Sequence, residues 1–272
     1  MTGRSRRVAT ILLATLALTA SSIGTAVAAV PGNDNAASPS TIASLPFSDA
    51  LLTTDATTEA VDPADCATNG HTVWYQFTAA TTADLLLDTF GSDYDTVVHV
   101  GTPNGLGGMT VIACNDDAGG SVQSAVRFTA DAGTTYLIAI GSFGDKDLGG
   151  NLIVHLDVAP PPLTISVTID SGGSFNAYGI ATIHGSVTCS QPILFAKSFA
   201  DVSQRVGRIT LHGFGDLGLQ ACGADPSQWS SQVSSPDGRF AGGKVSVNVF
   251  IDACGVLDCS SASASRVVQL RR

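Results

Sequence analysis

The sequence predicts an all-β chain made of two β-sandwiches in tandem. Apolar and polar residues alternate in short runs, Gly, Asp and Asn punctuate those runs, and helical periodicity is nearly absent. Six cysteines, an even number, add the prospect of a covalent framework.

The elements of the first half follow in order. Val73, Tyr75 and Phe77 share one face of a run that begins at His71, and Trp74 falls on the opposite face. Core or inter-sheet packing is the expected role for Trp74, with an exposed binding anchor as the alternative. Ala83 to Phe90, Tyr94 to Val100 and Thr110 to Cys114 supply further strands. Val122, Ser124, Val126 and Phe128 form another stripe, and Tyr136, Ile138 and Ile140 follow the turn Asp131-Ala132-Gly133. Leu152, Val154, Leu156 and Val158 form the last, with Ile153, His155 and Asp157 behind them. Seven or eight such strands bury their stripes most simply as two sheets packed face to face.

Ala159-Pro160-Pro161-Pro162 divides the chain. Consecutive prolines favour a stiff polyproline II spacer, which should hold the halves roughly 10 Å apart. The expected units are residues 30–158 and 163–272, with 159–162 as linker. In the second unit Ile165, Val167 and Ile169 alternate with polar residues. Val245, Val247, Val249 and Ile251 alternate with Ser246, Asn248, Phe250 and Asp252. With Ile180 to Cys189, Ile193 to Phe199 and Arg208 to Phe214, about seven strands suit an immunoglobulin-like sandwich.

Residues 1–29 read as a secretory signal peptide. Arg4, Arg6 and Arg7 precede the apolar stretch Val8 to Ala20, and Ala26-Val27-Ala28-Ala29 is an A-x-A-like cleavage site. The stretch is too short and too interrupted to span a bilayer, and the terminus Val267 to Arg272 has no apolar tail. The mature protein is therefore expected outside the cell, released or held non-covalently, with no membrane insertion. Removing the leader leaves ten basic against twenty-three acidic residues, a charge of −13. Such a surface repels phosphate backbones, so nucleic-acid binding is not expected.

Export turns Cys66, Cys114, Cys189, Cys222, Cys254 and Cys259 into candidate disulfides, since no C-x-x-C pair suggests zinc. Cys66 and Cys114 are the only pair in the first unit. In the second, Cys189 with Cys222 and Cys254 with Cys259 is preferred, because Gly255 and Asp258 suit a tight turn. Four cysteines allow three connectivities, and the sequence leaves that choice open. The chain-entropy relation assigns roughly 4 kcal/mol to each long loop and about 2 to the short one.

Several motifs of the first unit occur together: Asn33-Asp34-Asn35-Ala36, Thr57-Thr58-Glu59, Val73 to Phe77, Asp88 to Thr96, Asn115-Asp116-Asp117 and Gly133 to Ile138. In order and spacing this set resembles the bacterial pre-peptidase C-terminal domain. The resemblance implies a jelly-roll-like β-sandwich of the kind found beside secreted proteases and other exported enzymes. Gly185 to Cys189, Gln204 to Gly207, Cys222 with Trp229, Gly238-Arg239-Phe240 and Gly242-Gly243 are similar to small secreted actinobacterial immunoglobulin-like domains of unknown function. That resemblance implies no activity.

The most suggestive polar group is acidic. Asp93 and Asp95 lie in one turn, and Asn115, Asp116 and Asp117 follow Cys114. If the two loops meet at one end of the sandwich, they offer the oxygen ligands that calcium takes, with Glu59 as a further one. The competing reading is that Asp and Asn cap their own turns. His99, His155, His184 and His212 stand alone in strand-like runs, His71 precedes one, and no H-E-x-x-H occurs. Ser171-Gly172-Gly173-Ser174 reads as a flexible turn and not a G-x-S-x-G elbow. Gly105 to Gly108 lacks the Lys-Ser/Thr of a phosphate loop and reads as a hairpin turn. Trp229 is expected to pack on a disulfide.

No catalytic or cofactor-binding residue is assigned. The expected function is a secreted, non-catalytic binding, adhesion or accessory module. Its partner would be an extracellular polymer, a cell-wall component or another exported protein, held by sandwich-end loops or an exposed sheet face. Two alternatives stand behind it: a small-molecule carrier using the second unit, and a hydrolase whose carboxylates converge only in the fold.

Overall fold

The computed structural model describes residues 29–67, 69–144 and 147–272, so the expected leader lies outside it but for its last residue. These residues form strands and turns only.

The first half contains β1 (Ser40–Ile42), β2 (Phe47–Leu52), β3 (Asn69–Thr78), β4 (Ala83–Asp88) and β5 (Thr96–Pro103). It continues with β6 (Met109–Asn115), β7 (Ala125–Ala130), β8 (Thr135–Phe143) and β9 (Asn151–Val158). They make two sheets, β1-β3-β8-β5-β6 and β2-β9-β4-β7, antiparallel throughout except for the parallel β1–β3 pair. Between the sheets, Val73, Tyr75, Phe77, Ile138 and Ile140 meet Leu85, Leu87, Val126, Phe128, Leu152, Val154 and Leu156. These are the stripes that period-two alternation assigns to one face.

The opposite face of β3 is also covered. Trp74 is fully buried there with Met109, Leu137 and Ala139, and Ala36 and Val111 pack against the group. Its cover is the segment before β1: Trp74 N–H donates to the Asn33 carbonyl at 2.8 Å, and Asn33 Nδ2 donates to the Trp74 carbonyl at 3.0 Å. Asp34 accepts from the Thr57 hydroxyl at 2.8 Å, and Glu59 accepts from the Ala36 N–H at 2.8 Å. Two motifs far apart in sequence thus bind each other and close over the indole. Burying a Trp of this size contributes about 4–6 kcal/mol.

The second half contains β10 (Ile165–Ile169), β11 (Gly172–Phe175), β12 (Ala181–Cys189) and β13 (Phe195–Val206). After them come β14 (Ile209–Asp216), β15 (Ser227–Val233), β16 (Gly243–Cys254) and β17 (Cys259–Arg271). One layer is β10-β12-β15 and the other β14-β13-β16-β17. β11 pairs antiparallel with β12 and parallel with β17, so it joins the two layers along one edge. An isolated bridge between Phe214 and Ser234 touches them together along the other. Ile183, Val187, Trp229 and Val233 face Ala200, Val202, Val247, Val249 and Ile251 in the core. Gly185 lies opposite Trp229 in the ladder, and any side chain there would run into the indole and the Thr168 carbonyl.

All six cysteines are bonded: Cys66–Cys114, Cys189–Cys222 and Cys254–Cys259, with Cα separations of 5.9, 5.5 and 3.9 Å.

Four local expectations are corrected. Ser171 to Ser174 is not a flexible turn but leads into β11, where Gly173 lets the strand pass close to Thr182 and Leu270. The Val122 stripe starts late, at Ala125, because Ser124 is drawn into hydrogen bonds with Thr89 and Thr96, leaving Val122 exposed. His71 does not precede a strand; it sits within β3 at a bulge, with φ +48°. The prolines do not hold the halves apart either. Arg127 in β7 donates to the Pro160 carbonyl at 2.6 Å and stands 3.9 Å from Asp258, while Val256 lies against Gly119. Proline lacks an N–H but keeps its carbonyl, and Gln191 and Ser190 also use those acceptors at Pro161 and Pro162.

Candidate functional site

The acidic loops do meet, though each carboxylate is differently engaged. Asp93 accepts from the Asn151 side chain at 2.6 Å and its backbone N–H at 2.7 Å, which holds its carboxyl below the usual range. Asp95 is shifted the other way, first by burial and then by the charges of Asp117, Asp147 and Asp116. Asn115 accepts from the Ala125 N–H at 3.0 Å and donates to the Asp117 carbonyl at 2.8 Å, a capping role. The Asp116 carbonyl receives a long contact from the Ser124 hydroxyl. Glu59 is turned away to Ala36. Among the described residues no three His, Cys, Asp or Glu side chains are disposed to hold a metal ion.

The histidines are dispersed. His99 is fully buried in β5 with Nδ1 3.3 Å from Asn69 Nδ2, and burial pushes its pKa down. The nearest approach to a hydrolytic constellation is on the outer face of the smaller sheet. There Ser48, His155 and Asp88 stand opposite one another on β2, β9 and β4, with His155 Nδ1 3.0 Å from Asp88 Oδ1. Ser48 is exposed on β2, and its hydroxyl makes no hydrogen bond to the ring. Asp88 instead orients the ring and accepts from the Phe90 N–H at 3.1 Å.

The surface best suited to hold something is the outer face of β14-β13-β16-β17. Alternation sends Val202, Val247, Val249 and Ile251 into the core and Phe199, Asp201, Asn248, Phe250 and Asp252 outward. Register then lines them up across the sheet. Asp216, Phe199, Phe250 and Ser263 form one row, and Phe214, Asp201, Asn248 and Ser265 the next. The Phe199 and Phe250 rings stack with centroids 5.2 Å apart and planes inclined by 26°, yet each remains 42% exposed. Phe214 and Phe195 are more exposed still. Around the rings the polar groups are already oriented: Ser261 donates to Asp252 at 2.6 Å and Ser265 to Asn248 at 2.7 Å. A shallow groove of about 270 Å³ runs beside the stacked pair, lined by Phe199, Phe250, Asp252, Ser261 and Ser263.

This face is not among the expected sites. Its signal was present as a Phe in the polar phase of the Val245–Ile251 alternation, where solvent-facing positions otherwise carry Ser, Asn and Asp. The two tryptophans are internal: Trp74 belongs to the covered face of β3, and Trp229 lies over Gly185 in the second core.

These features define a class: an all-β protein of disulfide-crosslinked sandwiches with a bare aromatic sheet face. No family model and no curated relative matches the chain. Among solved structures it is similar to a β-glucuronidase from Bacteroides uniformis, at 12% identity and TM-score 0.21 over 71% of this chain and 26% of that one. A β-glucuronidase from Parabacteroides merdae gives 10% and 0.22 over 75% and 29%. A protein described as secreted, from Eubacterium rectale, gives 10% and 0.23 over 73% and 70%. The chain spans about a quarter to a third of the glucuronidase chains. At such scores the likeness carries no argument about activity.

Proposed function

We propose that the chain is a secreted, non-catalytic binding module that grips its ligand on the outer face of β14-β13-β16-β17. The observation that carries the reading is the stacked Phe199–Phe250 pair left in solvent. Large apolar rings at a surface cost hydration, and grouped with oriented polar neighbours they have the composition of a binding patch. Export is part of the proposal. Three disulfides and no free cysteine suit an oxidising compartment, and among the described residues no helix is long and apolar enough to cross a membrane. So is the division into a unit like the pre-peptidase C-terminal domain (30–158) and an immunoglobulin-like unit (163–272). The partner is an extracellular polymer, a cell-wall component or another exported protein.

The test is retention of the mature protein on cell wall, chitin, cellulose and collagen, beside a Phe199→Ala/Phe250→Ala variant. Retention by the parent and loss in the variant support the reading. A variant retained as well as its parent removes it. Calcium belongs to the proposal only as an ion that would relieve the carboxylate crowding around Asp95. Calorimetry with millimolar calcium tests that part, and no heat of binding withdraws it.

A further inference from the structure

We propose that the Cys254–Cys259 disulfide is a thiol-exchange site that governs the joint between the two halves. Oxidised, it holds the β16–β17 tip against the first half, and a dithiol that reduces it releases the tip. This holds whatever the aromatic face binds.

The joint is narrow. Among the described residues no sheet crosses from one half to the other, so side chains and turns alone couple them. On the side of the second half, those contacts gather on the turn from Gly255 to Asp258. Val256 lies against Gly119, and the Asp258 carboxylate stands 3.9 Å from the Arg127 guanidinium, each side chain less than a quarter exposed. Asp258 also accepts from the Leu163 N–H at 3.1 Å, where the chain enters the second half. A groove of about 340 Å³ remains between the tip and Gly119-Gly120, lined in part by Leu194, Phe195 and Val256. Halves joined through so small a contact move relative to each other unless something stiffens it.

The disulfide sits where it stiffens the tip and little else. Cys254 and Cys259 are the last pair of a twelve-position ladder, whose other pairs hold β16 to β17 without it. Neither belongs to the core of the second half, which takes in Cys189 and Cys222. A hairpin end is where a ladder frays, and this end is clasped by the sulfur bond and by the Gly255 N–H donating to the Asp258 carbonyl at 2.9 Å. The constraint therefore falls on the turn that carries Val256 and Asp258.

Access matches this role. Cys259 is exposed, whereas Cys189 and Cys222 are 1% and 5% exposed. One thiolate of the dithiol attacks the Cys259 sulfur, and Cys254 leaves as a thiolate. The second sulfur of the dithiol then displaces Cys259 and closes a disulfide of its own. Two electrons pass from dithiol to protein, and the freed cysteines take up the protons that the dithiol loses.

The experiment measures amide rotational correlation times in both halves by NMR relaxation. The samples are the oxidised mature protein, the same protein after limited dithiothreitol, and Cys254→Ser/Cys259→Ser. Alkylation and mass spectrometry identify the freed cysteines; Cys66 is exposed as well, so the serine variant isolates the tip. One correlation time for both halves is expected in the oxidised protein. It should split into two shorter ones on reduction and in the serine variant, while both halves keep their thermal melts. Val256→Ala/Asp258→Ala, which strips the tip of its contacts and keeps the disulfide, should give the same split. A single time in all samples overturns the proposal, as do two times in the oxidised parent or no split in the alanine variant. Release of Cys189 and Cys222 before Cys254 and Cys259 removes the exchange site. Unfolding of the second half in the serine variant also overturns the proposal, because the disulfide then serves the sandwich and not the joint.

Discussion

β3 in the first half and β16 in the second each place an aromatic ring on the face turned away from the main core. Trp74 on β3 is wholly buried, whereas Phe250 on β16 stays 42% exposed. The strands alternate in the same way and differ only in what lies above them. Over Trp74 the segment from Asn33 to Ala36 is fastened by Asp34, Thr57 and Glu59. Phe250 stacks on the neighbouring Phe199 ring, and both remain open to solvent. Alternation decides which face a side chain takes; a remote segment decides whether that face becomes core or binding surface.

The largest perturbation should erase both halves of the comparison. Excess reductant removes constraints worth roughly 4 kcal/mol at Cys66–Cys114, 4 at Cys189–Cys222 and 2 at Cys254–Cys259. Against a typical domain stability of 5–15 kcal/mol, that should lower the thermal midpoint of both halves and unfold them under mild denaturant. Unchanged melts in reductant would show that the cores suffice alone.

Next comes the direct contrast. Trp74→Ala should cost about 3–5 kcal/mol in denaturant unfolding, because its site is enclosed and closes poorly. Phe250→Ala should cost no more than about 1 kcal/mol, the value of one exposed aromatic pair. Equal losses would mean that Phe250 is structural. Asp34→Ala attacks the cover itself. It strands the Thr57 hydroxyl and N–H and should cost about 1–3 kcal/mol, with faster amide exchange at Trp74.

The smallest effect is a pH dependence confined to the first half. The folded-state pKa of His99 lies below its ordinary 6.5 because burial disfavours the charged ring. As pH falls through 6.5 the unfolded chain takes up a proton that the folded one refuses, so stability drops until the depressed folded value is passed. His99→Gln should flatten this slope in melts between pH 7 and 5. Asp62 and Asp95, raised above 3.8 by burial, act in the opposite sense at lower pH, so the variant isolates the histidine.

Much of the architecture was legible. The inward stripes of β3, β8, β9 and β16 were each placed on the correct face, because a period of two is a local property of the chain. The preferred disulfides formed, Cys66–Cys114 as the one pair the first half offers and Cys254–Cys259 across the turn of Gly255 and Asp258. β11 was missed because Gly172-Gly173 has the composition of a turn and is a strand only through its two partners. β15, Ser227–Val233, was missed because Gln and Ser dominate it and its apolar content rests on Trp229 and Val233. Of the candidate site, the sequence showed one out-of-phase Phe in β16 and gave no sign that Phe199 would be its neighbour.

By itself, then, the sequence determined the strand class, the face each side chain takes and the oxidised state of the cysteines, since these follow from neighbours a few residues apart or from the residue types present, while the pairing of the four cysteines of the second half was left to the fold. Tertiary structure alone decided that the proline segment joins the halves in contact, that Asn33 to Ala36 roofs Trp74, and that Phe199 and Phe250 become one exposed stacked pair. Each of those depends on which distant segments come to lie side by side, and strand register is set by the whole packed sheet and not by any single run of residues.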